Sequence, residues 1–287
     1  MSRYLTLANG VRQWARAITS STGATDAAKL ICTNSRGAID ESLLPGLPIG
    51  SPEGLTLSRN STLPDTQLDI AAGRAIVAAG SDRYVAINGS AMTKRLDAAC
   101  ATGSGSGGLF SGTVAANTTY HVFILRRSSD GAIDFGFDTS ASAANAPSGW
   151  SARMIGSIRT EANAFIRAFF QVGDRFEWAS PPSDLSGATA STVTTNLQAL
   201  TVPTGIRVRV LGIFDVANGS STGGLFGGAP DGTATQRAFV GATNVQIRTP
   251  FEIVTNTSGQ IRLYSPVSNM SLSVITQGFM HPRGAWS

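Results

Sequence analysis

The stretch YHVFILRRSSDGAIDFGFD, residues 120–138, carries the clearest information about the fold. Residues 120–126 are apolar on both alternating faces, which is typical of a strand that is covered on both sides. Residues 128–131, with the sequence SSDG, have the composition of a turn. The returning strand places Ile133, Phe135 and Phe137 on one face, and Asp134 and Asp138 on the other. An antiparallel hairpin is therefore predicted.

Similar strand-like segments occur on both sides of this hairpin. Before residue 180 they cover residues 68–77, 83–88, 153–159 and 165–170, and after it residues 206–210, 238–242, 245–254, 261–264 and 272–276. Short strands separated by turn residues at this spacing indicate an all-β protein. We predict a mainly β fold made of antiparallel β-sandwich modules that are jelly-roll-like.

Two proline-rich breaks divide the chain. Residues 45–52 contain three prolines, which remove backbone donors and fix φ, so neither a helix nor a central strand can continue there. A second break follows at Pro181 and Pro182. We therefore predict an N-terminal segment at 1–50, a first β domain at 54–180 and a second β domain at 181–287.

The composition excludes several classes of protein. The chain has 287 residues, of which 42% are hydrophobic and 14% charged, so it is neither a charge-rich disordered chain nor a coiled coil. Its net charge of +4 comes from scattered arginines, with no basic stripe that predicts nucleic-acid binding. Neither a signal peptide nor a membrane-spanning segment is predicted. Two cysteines, Cys32 and Cys100, form no disulfide framework or zinc site by themselves, and we expect both to be free.

The residue patterns that often carry catalysis are incomplete here. Residues 103–108 match the spacing G-x-G-x-x-G, but the sequence after them is strand-like, so a loop or tight turn is predicted instead of a nucleotide site. Asp134 and Asp138 are roughly 13 Å apart along a strand, too far for a glycosidase pair, and we expect them on a solvated or intersubunit face. His121 is predicted in the core or an interface, and His281 at the surface. We expect no enzyme activity, no cofactor and no metal site.

A set of short phrases resembles the β-rich modules of virion appendages in tailed bacteriophages, both tail fibres and head fibres. The phrases are LTLSRN (55–60), DIAAGRA (69–75), TKRLDAA (93–99), GSGSGGL (103–109), YHVFILR (120–126) and RMIGSIR (153–159). The phrase NSRGAIDESLLP (34–45) resembles the segment by which such proteins attach to the particle.

This resemblance implies a virion structural protein that is assembled in the host cytoplasm. The implied arrangement is a homotrimer that docks on other tail, baseplate or head proteins by its N-terminus and binds the host surface through its β domains. The alternative is a head-fibre, collar or capsid-decoration protein with a purely structural role. A third possibility is a carbohydrate-active depolymerase, which the residue patterns favour least.

Candidate receptor-binding residues are Trp150, Arg126 and Arg127, because each lies beside a predicted turn. Aromatic rings pack well on sugar rings, and the guanidinium fork matches carboxylate and phosphate groups. A host-surface glycan is the expected ligand. The competing interpretation is that Trp150 packs in the core or at its rim, as aromatics at strand edges do in the fibre modules that the chain resembles.

Overall fold

The structure is a computed structural model. It describes residues 3–8, 11–18, 30–31, 52–79, 82–189, 196–218, 223–232, 237–241, 245–265 and 270–283.

The described residues form strands and turns, and no helix occurs among them. This confirms the predicted mainly β class. In chain order the strands are β1 (Arg3–Ala8), β2 (Val11–Ile18), β3 (Leu30–Ile31), β4 (Glu53–Gly54), β5 (Leu57–Arg59), β6 (Gln67–Ile70), β7 (Gly73–Ala79), β8 (Asp82–Asn88), β9 (Met92–Ala99), β10 (Gly107–Leu109), β11 (Thr119–Arg127), β12 (Ile133–Asp138), β13 (Trp150–Arg159), β14 (Phe169–Val172), β15 (Arg175–Trp178), β16 (Ser183–Thr189), β17 (Leu197–Ala199), β18 (Arg209–Asn218), β19 (Gly223–Gly228), β20 (Arg237–Gly241), β21 (Val245–Val254), β22 (Gln260–Tyr264) and β23 (Met270–Met280).

The predicted hairpin lies inside a seven-stranded sheet of order β13-β11-β12-β10-β9-β6-β5. Strand β11 is antiparallel to both of its neighbours, with Val122 opposite Phe137 on β12 and Gly156 on β13. The short β10 runs parallel to β9 and to β12, so the sheet is mixed and not purely antiparallel. Because β11 is central and buried, both of its faces are apolar.

A six-stranded sheet follows the order β14-β15-β23-β18-β21, with β16 also paired to β23. A four-stranded sheet, β17-β22-β19-β20, packs beside it, because Gly227 on β19 faces Phe214 and Ile253 of the larger sheet. The rings of Phe214 and Phe251 stack at 3.9 Å between centroids in this layer.

One continuous apolar core joins the six-stranded and seven-stranded sheets. The ring of Phe176 on β15 stacks on Phe279 of β23 at 5.1 Å and reaches Gly156 on β13. A β-carbon at Gly156 would lie 3.2 Å from the Phe176 ring, which is tighter than an ordinary van der Waals contact, so the glycine permits the close approach of the two sheets. The layers therefore form sandwiches that share one apolar core.

The predicted boundary near residue 180 lies between β15 and β16, and both of these strands pair with β23. Residues from the two predicted β domains therefore share a sheet. The division of the chain into two β domains at residue 180 stays a prediction.

Within the predicted N-terminal segment the described residues are β1, β2 and β3, where β1 and β2 are antiparallel and β3 is parallel to β2. Most of the proline-rich break at 45–52, and Cys32, lie outside the described residues.

Candidate functional site

The turn after β11 brings the three predicted binding residues to one end of the seven-stranded sheet. Arg127 is the last residue of β11 and lies opposite Trp150, the first residue of β13. The turn between β11 and β12 closes with hydrogen bonds from Gly131 N to Arg127 O at 2.9 Å and from Arg127 N to Ala132 O at 2.8 Å. Gly131 has a φ of 77°, a conformation that favours glycine. The glycine of the SSDG turn therefore fixes where both arginines emerge.

Two guanidinium groups stack on aromatic rings at this end of the sheet. The Cζ atom of Arg127 lies 5.2 Å from the centre of the Trp150 ring, and the Cζ atom of Arg126 lies 4.1 Å from the centre of the Tyr84 ring. Both distances are in the range of cation–π contacts, which hold a flexible side chain in one orientation. We call Tyr84, Arg126, Arg127, Asp130 and Trp150 the arginine–aromatic surface.

Asp130 completes this surface. Its carboxylate accepts two hydrogen bonds from Arg127, at 2.9 Å and 2.6 Å. The hydrogen bond from Arg127 lowers the pKa of Asp130 to about 2, so the pair stays charged at all physiological pH values. Arg126, in contrast, has no carboxylate partner among the described residues, and its charge is available to an anionic ligand.

Trp150 belongs partly to the core and partly to the surface. It is half-buried and packs against the main apolar cluster, while Arg127 covers one face of its ring. Sequence reasoning found Trp150, Arg126 and Arg127 because each lies beside a turn. It missed Tyr84, which comes from β8 in a separate hairpin and reaches Arg126 only through tertiary packing.

A second polar cluster lies in the core and holds both histidines. The Ser157 hydroxyl lies between His121 Nδ1, at 2.8 Å, and His281 Nε2, at 2.9 Å. Burial lowers the pKa of His121 to about 4 and that of His281 to about 3, so both rings are neutral near pH 7. The prediction of a surface position for His281 was wrong, because β23 carries it beneath β13, where it is 2% exposed.

A serine between two histidines has the residue types of a nucleophilic site, but this cluster is closed. All three side chains are at most 2% exposed, and none of them lines a described cavity. A nucleophile needs access to its substrate as well as an adjacent base. We therefore assign Ser157 and the histidines to stabilising the contact between β11, β13 and the end of β23.

The glycine-rich loop is a turn held by a buried ion pair. Lys94 Nζ lies 3.0 Å from Asp134 Oδ1 and donates to the carbonyl of Ala101 at 2.7 Å. Asp134 Oδ2 accepts a hydrogen bond from Gly103 N at 3.2 Å. Residues 107–109 continue as strand β10, so no helix N-terminus is present to bind a pyrophosphate.

The two carboxylates of β12 are buried, which corrects the expectation of a solvated or intersubunit face. Asp134 and Asp138 are 2% and 1% exposed. Asp138 accepts hydrogen bonds from the backbone of Ser140 and from the backbone and side chain of Asn145. Both carboxylates therefore shape turns instead of facing a ligand.

Cys100 is a free thiol, and burial raises its pKa. Within the described ranges no group of three or more His, Cys, Asp or Glu side chains is arranged to hold a metal ion. No helix in the described part of the chain has the length and apolar character to cross a membrane.

No protein-family model matches the chain, and no curated protein sequence matches it either.

Proposed function

We propose that this chain is a structural protein of a tailed-phage particle, a tail-fibre or baseplate appendage that binds a host-surface glycan without cleaving it. The observation that carries the proposal is the arginine–aromatic surface. Its residues come from three strands and one turn, and its guanidinium groups are oriented by aromatic rings and by Asp130.

Pre-orientation matters because binding costs conformational entropy. An arginine that is already stacked loses less side-chain freedom when it pairs with a ligand. Arg126 offers a charge-assisted donor, and the half-buried rings of Tyr84 and Trp150 offer apolar contact to a sugar ring. One such site binds weakly, but several copies on one particle raise the avidity.

The proposed homotrimer is supported by an exposed apolar surface on the β14–β15 hairpin. Phe170 is 63% exposed and Val172 is 78% exposed, and both lie on the same face of β14. Apolar side chains this exposed and adjacent are typical of surfaces that contact another protein. They fit a second copy of this chain, and they also fit the alternative of a head-fibre, collar or decoration protein that only docks on the particle.

The adhesion experiment uses purified protein and a panel of host and non-host bacterial cells. We expect binding to host cells that weakens as salt screens the arginines, with no release of oligosaccharides. Equal binding to all cells would favour the structural alternative, and sugar release would favour the depolymerase.

The trimer is tested by light scattering after size-exclusion chromatography. The wild-type chain should have a trimer mass, and the double variant Phe170→Ser, Val172→Ser should shift toward the monomer mass. A monomeric wild type at concentrations well above micromolar would contradict the trimer.

A further inference from the structure

A small cavity opens at the end of the seven-stranded sheet where β11 begins. It has a volume of about 180 Å³ and is lined mainly by residues just before β6, by β9 and by the loop after β13. That loop is joined to the start of β11, because Asn117 N donates to Glu161 O at 3.0 Å. We call this the Phe165 cavity, and its lining residues include Asp65, Asp97 and Phe165.

Backbone hydrogen bonds join the parts of the chain that form the walls of the cavity. Ile166 N donates to Asp65 O at 2.8 Å, which holds the loop after β13 against the residues before β6. Leu96 N donates to Thr66 O at 2.8 Å, which holds those residues against β9. The walls are therefore fixed before a ligand enters, and a preformed site binds at a lower entropic cost.

The loop after β13 presents the Phe165 ring at the opening of the cavity. Ala164 has a φ of 65°, in the left-handed region that residues other than glycine rarely adopt. The backbone nitrogen of Phe165 donates to the Asn163 side-chain oxygen at 3.1 Å. Phe165 lines the cavity and is 42% exposed, so part of its ring is free for an apolar contact.

The two carboxylates that line the cavity are already paired with arginines. Asp65 accepts a hydrogen bond from Arg59 at 2.8 Å, and Asp97 accepts two from Arg95 at 3.0 Å and 3.1 Å. None of the described residues that line the cavity is basic. An anionic ligand would therefore be repelled by the carboxylates, and a cationic ligand would compete with the arginines. The remaining oxygen lone pairs suit hydroxyl groups, which donate hydrogen bonds without carrying a net charge.

Two further polar groups are available to a ligand that is rich in hydroxyls. The Thr66 hydroxyl and the Asn163 side-chain nitrogen have no hydrogen-bond partner among the described residues. These groups supply donors, whereas the carboxylates supply acceptors, so a ligand hydroxyl can both donate and accept. A sugar ring matches this combination, because hydroxyls surround its edge and its apolar face packs on an aromatic ring.

We propose that the Phe165 cavity binds one neutral pyranose ring, with the apolar face of the sugar on Phe165 and its hydroxyls on the two carboxylates and Thr66. The volume is below the ~300 Å³ at which pockets for drug-sized ligands begin, so it accommodates a single ring. Strand β11 separates the cavity from the arginine–aromatic surface, because its ends at Thr119 and Arg127 are roughly 26 Å apart at ~3.3 Å per residue. The cavity is therefore a second binding site, and sugar binding there does not depend on the arginine–aromatic surface.

The test is saturation-transfer NMR of the full chain with methyl glycosides as probes. The panel contains the neutral glycosides of glucose, galactose, mannose and N-acetylglucosamine, the acidic glucuronide and the ammonium-bearing glucosaminide. We expect at least one neutral glycoside to bind with a Kd on the order of 1 mM, more tightly than the charged probes. The C–H protons on its apolar face should receive the largest transfer, because they lie against the Phe165 ring.

The variants separate contact with the ring from damage to the fold. Phe165→Ala should weaken the binding of that neutral glycoside by roughly tenfold or more, whereas Phe165→Tyr keeps the ring and should bind like the wild type. Thr66→Val removes one hydrogen-bonding group and should weaken binding by roughly severalfold. The matched control is Phe170→Ala on β14, which removes an exposed phenylalanine that does not line the cavity.

The assignment would be overturned by equal affinity of the wild type and Phe165→Ala, or by a preference for the acidic or ammonium-bearing probe. It would also be overturned if no neutral glycoside bound at about 20 mM. Cell adhesion is measured separately. Sugar binding that depends on Phe165 without adhesion to host cells would support the cavity and refute the adhesion proposal, and adhesion without sugar binding would do the reverse.

Discussion

Two aspartates four residues apart illustrate how differently this protein uses the same side chain. Asp134 is 2% exposed and pairs with the fully buried Lys94 beneath the glycine-rich turn. The Asp130 side chain is 51% exposed and pairs with Arg127 at the arginine–aromatic surface. The first pair is buried, and the second is exposed to solvent. An ion pair between an aspartate and a basic side chain therefore stabilises the fold at one position and presents charge to solvent at the other.

The physical cause is desolvation. A buried charge that loses its partner has no water to replace it, whereas an exposed charge is hydrated again at little cost. The comparison therefore predicts large stability effects in the buried polar region, and binding effects without stability effects at the surface.

The largest expected effect is that of Lys94→Met. It leaves Asp134 buried without its counter-charge and removes the donors to the carbonyls of Ala101 and Gly103. We expect a loss of roughly 3 to 5 kcal/mol in the free energy of unfolding, measured by denaturant titration. The matched variant Arg127→Met breaks the exposed pair and should unfold like the wild type. Similar losses in both variants would invalidate the comparison.

A slightly smaller loss is expected for Arg283→Ala. Its guanidinium is buried and donates to the carbonyls of Ile155 at 2.6 Å, Gly173 at 3.1 Å, and Gly54 and Leu55 at 3.0 Å. Ile155 is the bulged residue of β13, so its carbonyl has no strand partner to replace the arginine. Removing the side chain should cost roughly 3 to 4 kcal/mol, measured by the same titration.

Arg126→Ala, which removes a half-buried arginine at the arginine–aromatic surface, is the control for Arg283. An unchanged melting temperature for Arg283→Ala would show that these carbonyls are satisfied without it.

Acid should destabilise the protein through the buried histidines. Their pKa values are about 4 for His121 and about 3 for His281 in the folded state, against about 6.5 in an unfolded chain. The unfolded state therefore binds more protons between these values. Stability is complete above about pH 6.5 and is lost as the pH falls toward 4, by roughly 3 kcal/mol for His121 alone.

The acid effect is measured as the free energy of unfolding at several pH values between 7 and 4. Glutamine at position 281 does not titrate in this range, so His281→Gln should have a shallower pH dependence than the wild type. The charged groups that face the histidines are Asp138 and Arg283, and both are retained in this variant. Parallel curves for the two proteins would show that His281 contributes nothing to the acid sensitivity.

The smallest expected effect is that of Arg126→Gln on adhesion. The substitution removes one charge from the arginine–aromatic surface, so we expect host-cell binding to weaken by roughly severalfold at low salt and the salt dependence to become shallower. The melting temperature should not change. Arg209→Gln is the control, and an identical salt dependence in the two variants would exclude Arg126 from the binding surface.

Local pattern was sufficient to predict the strands near the centre of the chain. The alternation in residues 120–138 predicted β11, the turn and β12, and the turn residues predicted that Arg126 and Arg127 lie at the end of a strand. These features depend on neighbours in sequence or on strands joined by short connections. The same reasoning placed His281 at the surface, because no local pattern shows that β23 ends beneath β13.

Local sequence pattern could not predict contacts between residues that are far apart in the chain. Arg283 donates hydrogen bonds to the carbonyls of Leu55 and Ile155, which lie 228 and 128 positions earlier in the chain. Tyr84 reaches Arg126 from another hairpin. Lys94 is one of only two lysines in the chain, but nothing in its local sequence indicates that it is fully buried. Packing in three dimensions determines which residue pairs with a buried charge. The local sequence around either residue does not predict this pairing.

Side-chain alternation and turn residues were sufficient to predict the β class, the central hairpin and the position of Arg126, Arg127 and Trp150 beside turns, because these signals act over a few positions. Which charges are buried depends on the tertiary structure, because a charge loses its water only where other layers of the fold cover its strand. The tertiary structure also decided that β15 and β16 share a sheet with β23, and that Tyr84 reaches Arg126 from another hairpin. Those outcomes depend on which strands meet, and hydrophobic pattern alone leaves several pairings equally compatible.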